Sequence, residues 1–199
     1  ASVVIPDSVT SMGAYAFAEC DNLTNVEMGN GLTNIGVYSF WNCKNLTSII
    51  ISNGVTNIDD CAFCGCAGLT RVVIPTSVRR IGARAFEGCS GLTSVHITDI
   101  KAWCAIEFAN YLANPLFYGG NLYLNNKLVT KLEIPNTVTE IKGYAFANCS
   151  SLTSVVISDS VTIIGDNAFG NCSGLTSVTI GKGVMSIGRG AFGNCNCLT

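Results

Sequence analysis

The sequence predicts a solenoid, a stack of similar coils in which each coil buries its apolar face only against its neighbours. Three observations carry this. Cys20, Cys43, Cys66 and Cys89 recur at one constant interval, and after a longer gap Cys149, Cys172 and Cys195 resume the same spacing, each on the third position after a phenylalanine (Phe17, Phe40, Phe63, Phe86, Phe146, Phe169, Phe192). The same period carries a leucine on the third position after each cysteine, from Leu23 to Leu198. Composition agrees: 48% of residues are hydrophobic and only 12% charged, against a usual charged share of about 25%.

One full coil reads Leu152, Val155, Ile157, Val161, Ile164, Gly165, Phe169, Cys172. Val155 and Ile157 are two apart, the alternation of a strand. Pro6, Gly29, Pro75, Pro135 and Gly181 stand where a turn should end that strand. Val161 and Ile164 belong to a second short extended piece. The G-x-x-A-F segment that follows is expected to form a single helical or 3₁₀ turn. Glycine follows the second isoleucine in most coils, but Asp59 and Lys142 replace it, so that backbone position does not require glycine's freedom.

The register L-x-x-[VI]-x-I, [VL]-x-x-I-G, A-F-x-x-C resembles the 23-residue BspA-like (Treponema pallidum type) leucine-rich repeat family of bacterial and trichomonad surface proteins. The resemblance covers residues 1–97 and 132–199. It implies a right-handed leucine-rich repeat solenoid of about eight coils. A parallel β-sheet would line one face, with short 3₁₀ or helical turns and short extended segments on the other. It also implies a cell-surface or secreted location and a role in adhesion or display rather than catalysis, although one fold hosts many functions.

The coil after Ile97 is overlong. Ile74 and Ile97 mark successive strands at the regular period, whereas the next equivalent, Ile134, comes much later than that period allows. The chain therefore reads as coils 1–97, an irregular segment 98–131 and coils 132–199. Within the segment, Leu122-Tyr123-Leu124 and Leu128-Val129 flank Asn125-Asn126-Lys127, which predicts a hairpin. Such an insertion is either a binding element or a packing spacer that bends the stack. Both ends of the sequence read as parts of coils, as expected of a piece of a longer array.

Several functions are disfavoured. Net charge is −2 with no basic stripe, which argues against nucleic-acid binding. No apolar run reaches the roughly 18 residues of a membrane helix. His96 is the only histidine, and its register turns it outward from the sheet. A hydrolase using His96 with Ser94 or Thr98 is a distant alternative, because no G-x-S-x-G elbow accompanies them. No cofactor is expected. Cys61, Cys64 and Cys66 form a C-x-x-C-x-C cluster, but zinc wants four convergent ligands, and the nearest second pair, Cys195 and Cys197, lies several coils away. The repeat cysteines are expected to be buried thiols rather than a disulfide framework. The sequons at Asn22, Asn45, Asn148 and Asn171 follow from the repeat itself.

The outward face of the sheet is the candidate site. Side chains alternate across a strand. One outward row therefore reads Ser2, Asn25, Ser48, Arg71, Ser94, Lys131, Ser154, Ser177, and its neighbour Val4, Glu27, Ile50, Val73, His96, Glu133, Val156, Thr179. Ile50, Arg71, Val73, His96, Lys131 and Glu133 depart from the Ser/Thr/Val background at mid-face, as an interface centre would. Trp103 and Tyr118 of the long coil are added to that site. The expected partner is a protein or glycan on a host or neighbouring cell. A structural spacer that projects another domain is the alternative, with the same rows read as ordinary variation on a β-compatible face.

Overall fold

The computed structural model describes residues 1–199 and is a β-solenoid. The strand of each coil forms where the alternating Val/Ile pair occurs: Asn25–Met28, Ser48–Ile50, Arg71–Val73, Ser94–Ile97 and, after the long coil, Lys131–Ile134 and Ser154–Ile157. Their inward residues Val26, Ile49, Val72, Val95, Leu132 and Val155 are buried. Pairing is parallel and in step with the repeat, so Ile50, Val73 and His96 align across three strands. A second ladder of short strands (Asn34–Ile35, Asn57–Ile58, Arg80–Ile81) runs along another face, with Ile35, Ile58 and Ile81 pointing inward.

The G-x-x-A-F turns differ from the expected 3₁₀ form. They do close bonds of the i to i−3 kind, such as Trp41 N–H to Tyr38 O at 3.0 Å and Cys43 N–H to Phe40 O at 3.2 Å. However, two residues per turn adopt a left-handed backbone, Tyr38 (φ 56°) and Asn42 (φ 55°) in that coil, Tyr144 (φ 64°) and Asn148 (φ 63°) in another. Left-handed residues cannot continue a right-handed helix. They turn the N–H groups along the stack instead, where Phe40 N–H donates to Ala62 O at 2.8 Å and Asn42 N–H to Cys64 O at 2.8 Å. True 3₁₀ turns occur at Tyr111–Ala113 and Pro115–Tyr118, both in the long coil.

The core is built from columns of like residues. Phe17, Phe40, Phe63 and Phe86 stack at 5.3–5.4 Å between centroids, and Phe146, Phe169 and Phe192 at 5.1–5.2 Å. Next to them runs a thiol column. Cys66 Sγ–H donates to Phe40 O at 3.0 Å, Cys89 to Phe63 O at 3.2 Å and Cys172 to Phe146 O at 3.1 Å. All eleven cysteines are free thiols, and Cys20, in the first coil, is the one column member that is exposed. Threonines form a third column at the start of each strand, with Thr70 Oγ1 donating to Thr47 O at 3.0 Å and Thr93 to Thr70 O at 3.2 Å.

The long coil is woven into these columns by side chains. Asp99 caps a short helix, Ile100–Cys104, by accepting from Ala102 N–H at 2.7 Å. Glu107–Phe108 then extends the second ladder beside Arg80–Ile81. Where the regular turn would offer carbonyls to the preceding coil, Asn110 Oδ1 accepts from Arg84 N–H at 3.3 Å and Tyr118 Oη from Gly88 N–H at 2.8 Å. Where it would offer backbone N–H groups to the following coil, Trp103 Nε1–H donates to Ala145 O at 2.8 Å. Asn114 Nδ2–H donates to Tyr144 O at 2.6 Å and Ala145 O at 3.3 Å. Backbone groups removed from water need partners; Trp103, Asn114 and Tyr118 supply them at buried or part-buried positions and Asn110 at an exposed one.

A hairpin forms, Asn121–Leu124 against Lys127–Leu128, with a turn one residue shorter than expected. Lys127 joins the strand, Val129 lies outside it, and Asn125 (φ 50°) and Asn126 (φ 63°) are both left-handed as a type I′ turn requires. Its first strand also pairs in parallel with Ser94–Ile97, so it occupies the next rung of the main sheet.

Candidate functional site

The face opposite the core is an outward strip on four consecutive parallel strands. Ile50, Val73 and His96 are cross-strand neighbours, and Tyr123 aligns beside His96 as the fourth. Ile50 is 58% exposed and lies on the edge strand of this five-stranded sheet. Arg71 shares its strand's outward side with Val73 and aligns between Ser48 and Ser94. It takes part in none of the ion pairs of the chain.

His96 and Tyr123 stack on each other within the strip. Their rings lie parallel (9° between planes) with centroids 4.8 Å apart, and His96 Nδ1 is 3.2 Å from Asn126 Oδ1 on the hairpin turn. Partial burial, and then the charge of Arg71, hold the imidazole below its ordinary pKa, with the Asn126 contact opposing them. The ring is therefore neutral near pH 7, a flat surface instead of a cation. At the other end, a groove of about 520 Å3 opens at the strand ends between Glu27, Ile50, Val73 and Thr98.

Several expected site residues lie elsewhere. Lys131 and Glu133 do not continue the Arg71–Val73–His96 rows, because the strand Asn121–Leu124 takes that rung. Their own strand belongs to a separate three-stranded sheet with Ser154–Ile157 and Ser177–Thr179. The repeat register passes from Ser94–Ile97 directly to Lys131–Ile134, so Tyr123 on the hairpin strand falls outside it. The signal was present in Leu122-Tyr123-Leu124, whose alternation matches the strand of a coil.

Trp103 is 1% exposed, with its indole N–H committed to Ala145 O, so it is a core residue and not a surface contact. Tyr118 points its hydroxyl at Gly88 N–H on the turn side. Neither joins the sheet face, and both close the ladder where the regular turn is missing.

The cysteine cluster divides in the same way. Cys66 belongs to the thiol column, and no group of His, Cys, Asp and Glu side chains is arranged to hold a metal ion. Burial pushes the Cys64 thiol up to about 11 and Cys89 to about 12, which leaves both protonated and weakly nucleophilic.

The model of the BspA type leucine rich repeat region matches residues 1–111 and 119–199 in six copies. Among solved structures, the Treponema pallidum leucine rich repeat protein is similar at 25% identity and a TM-score of 0.54, over 100% of this chain and 78% of that one. A leucine rich cell surface protein of Faecalibacterium prausnitzii is similar at 24% identity and a TM-score of 0.56, over 100% of this chain and 65% of that one. The pneumococcal vaccine antigen PcpA shares the fold at 15% identity, with a TM-score of 0.56 over 100% of this chain and 60% of that one. No curated protein matches the chain. With the repeat register, the parallel ladders and the family model in agreement over nearly the whole sequence, the chain belongs to the BspA-type leucine-rich repeat family.

Proposed function

We propose that the chain is a non-enzymatic binding module of a cell-surface protein, and that it takes a protein partner across the strip formed by Ile50, Val73, His96 and Tyr123. The observation that carries this reading is the contiguous cross-strand run of aliphatic and aromatic side chains, with Ile50 exposed and Val73, His96 and Tyr123 half-buried. Arg71, free of any ion pair, stands beside it. Interface centres combine apolar or aromatic anchors with arginine, and side chains locked on a parallel sheet lose little freedom on binding. The relative described as a cell surface protein supports the location. Lys131 and Glu133, exposed on the separate three-stranded sheet, are proposed as outlying charged contacts of the same partner.

The test is a binding screen against immobilised extracellular-matrix and cell-surface proteins, repeated with Arg71→Glu and Val73→Asp combined. That variant places two negative charges at the strip and leaves the buried Val72 in place. A partner whose affinity falls by about tenfold or more supports the assignment. A partner bound equally well by both forms moves the site off the sheet.

A further inference from the structure

A second concave site lies on the turn side of the solenoid, at the junction between the long coil and the two coils after it. We propose that this furrow binds a neutral pyranose sugar. Its volume is about 290 Å3, at the small end of ligand pockets, which run from roughly 300 to 1,000 Å3. Tyr111 and Phe117, from the two 3₁₀ turns, form one wall with their rings 5.2 Å apart and tilted by 54°, and Tyr111 is 50% exposed. Tyr144, Asn148, Asn167 and Asn171 also line it.

The chemistry of this lining is specific. It contains no charged side chain, so it offers no countercharge to a phosphate, a carboxylate or an ammonium group. Aromatic faces pair with the apolar C–H face of a sugar ring. A carboxamide both donates and accepts, which suits hydroxyl groups that do the same. Asn148 and Asn167 spend no side-chain hydrogen bond within the protein. Asn171 accepts from Asn194 Nδ2 at 2.9 Å through Oδ1 and keeps its own N–H₂ group for a ligand.

The lining is also held in place before any ligand arrives. Tyr144, Asn148, Asn167 and Asn171 are all left-handed residues, with φ of 64°, 63°, 52° and 60°. Each backbone N–H is bonded along the stack: Tyr144 to Asp166 O at 3.0 Å, Asn148 to Gly170 O at 2.8 Å, Asn167 to Arg189 O at 2.9 Å and Asn171 to Gly193 O at 2.8 Å. Preorganisation of this kind lowers the entropic cost of binding. Among the left-handed positions of the turns before the long coil, Asn42 is the one asparagine, beside Tyr15, Glu19, Tyr38, Cys61, Gly65, Arg84 and Gly88. No insertion faces Asn42 with an aromatic wall. The furrow therefore exists once, where the insertion meets the asparagine-bearing turns.

Titration of the intact chain with neutral methyl pyranosides at millimolar concentration, followed by protein NMR, is the direct test, with a glycan array in parallel. The expected result is that at least one neutral sugar perturbs Tyr111 and Phe117, that Tyr111→Ala weakens it about tenfold and that Asn171→Ala weakens it several-fold. Arg71→Glu with Val73→Asp should leave it unchanged, because that pair lies on the sheet face. A response to single sugars supports a one-ring site, and a response on the array alone supports a subsite for the end of a longer glycan. Silence in both assays overturns the proposal, as does sugar binding that Tyr111→Ala retains in full while its melting curve matches that of the parent.

Discussion

The imidazole of His96 lies flat against the phenol ring of Tyr123, 4.8 Å away and within 9° of parallel. Two strands separated in sequence by most of the long coil thus share one aromatic surface, and the hairpin contributes half of it. This arrangement has a titration signature. Burial is the largest cause that depresses the His96 pKa from 6.5, followed by Arg71. Tyr123→Ala removes the covering ring and should raise the value towards 6.5, whereas Tyr123→Phe should hold it. Because the folded value is the depressed one, the His96 contribution to stability is complete above about pH 6.5 and is lost as pH falls through the folded pKa. His96→Gln should therefore abolish that part of the acid-side loss. NMR titration of the ring and melting curves across this range check both statements.

The phenylalanine column makes a sharper demand on stability. Phe146 is fully buried and stacks on Phe169 at 5.1 Å. Phe146→Ala opens a cavity in a rigid stack and should cost about 3–5 kcal/mol. Ser154 is half-buried on the outward side of its strand, and Ser154→Ala should fall within about 0.5 kcal/mol of the parent. Thermal or urea unfolding separates the two, and equal stabilities would remove the column from the core.

The sequence exposed what repeats and concealed what substitutes for the repeat. Strand positions, inward Val/Ile pairs and the phenylalanine and cysteine columns were legible because each recurs once per coil and one register error would turn every side chain over. The threonine column was equally periodic, but it is written in a residue usually read as solvent-facing. The left-handed turn residues were hidden because Tyr15, Tyr38, Arg84 and Tyr144 are not types that advertise positive φ. In the long coil there is no period to follow. The roles of Trp103, Asn110, Asn114 and Tyr118 depend on which carbonyl or N–H of a neighbouring coil lacks a partner, and that is a property of the stack rather than of the local sequence. For the site, Ile50, Arg71, Val73 and His96 followed from alternation, whereas Tyr123 required knowing that the hairpin enters the main sheet.

The junction of the long coil with the coil after it rests on Asn114 and Trp103. Asn114 is fully buried, accepts from Leu116 N–H at 2.9 Å and donates to two carbonyls. Asn114→Ala leaves the Leu116 N–H without this acceptor and should cost about 1–3 kcal/mol. Trp103→Phe removes the other donor to Ala145 O. In the double variant that carbonyl loses both partners, so the combined loss should exceed the sum of the single ones. A double-mutant cycle by urea unfolding measures this, and strict additivity would show that the two side chains do not share the carbonyl.

The thiol column makes a prediction about reactivity in the native state. The buried thiols Cys66, Cys89 and Cys172 each donate to a phenylalanine carbonyl one coil back, while Cys20 and Cys197 are exposed. The thiolate is the reactive form. Burial holds Cys89 at about 12 and Cys149 at about 11, so very little thiolate exists at neutral pH. A thiol reagent added to folded protein should therefore label the exposed Cys20 and Cys197 quickly and the buried members of the column slowly. In denaturant, without any reductant, the column should label fully. Mass spectrometry of the labelled peptides gives the order residue by residue. If the column peptides become reactive only after reduction, the thiols are paired and the carbonyl-bonded column is wrong. If they label in the folded state as fast as Cys197, the coils open far more readily than close packing of Phe63, Phe86 and Cys89 allows.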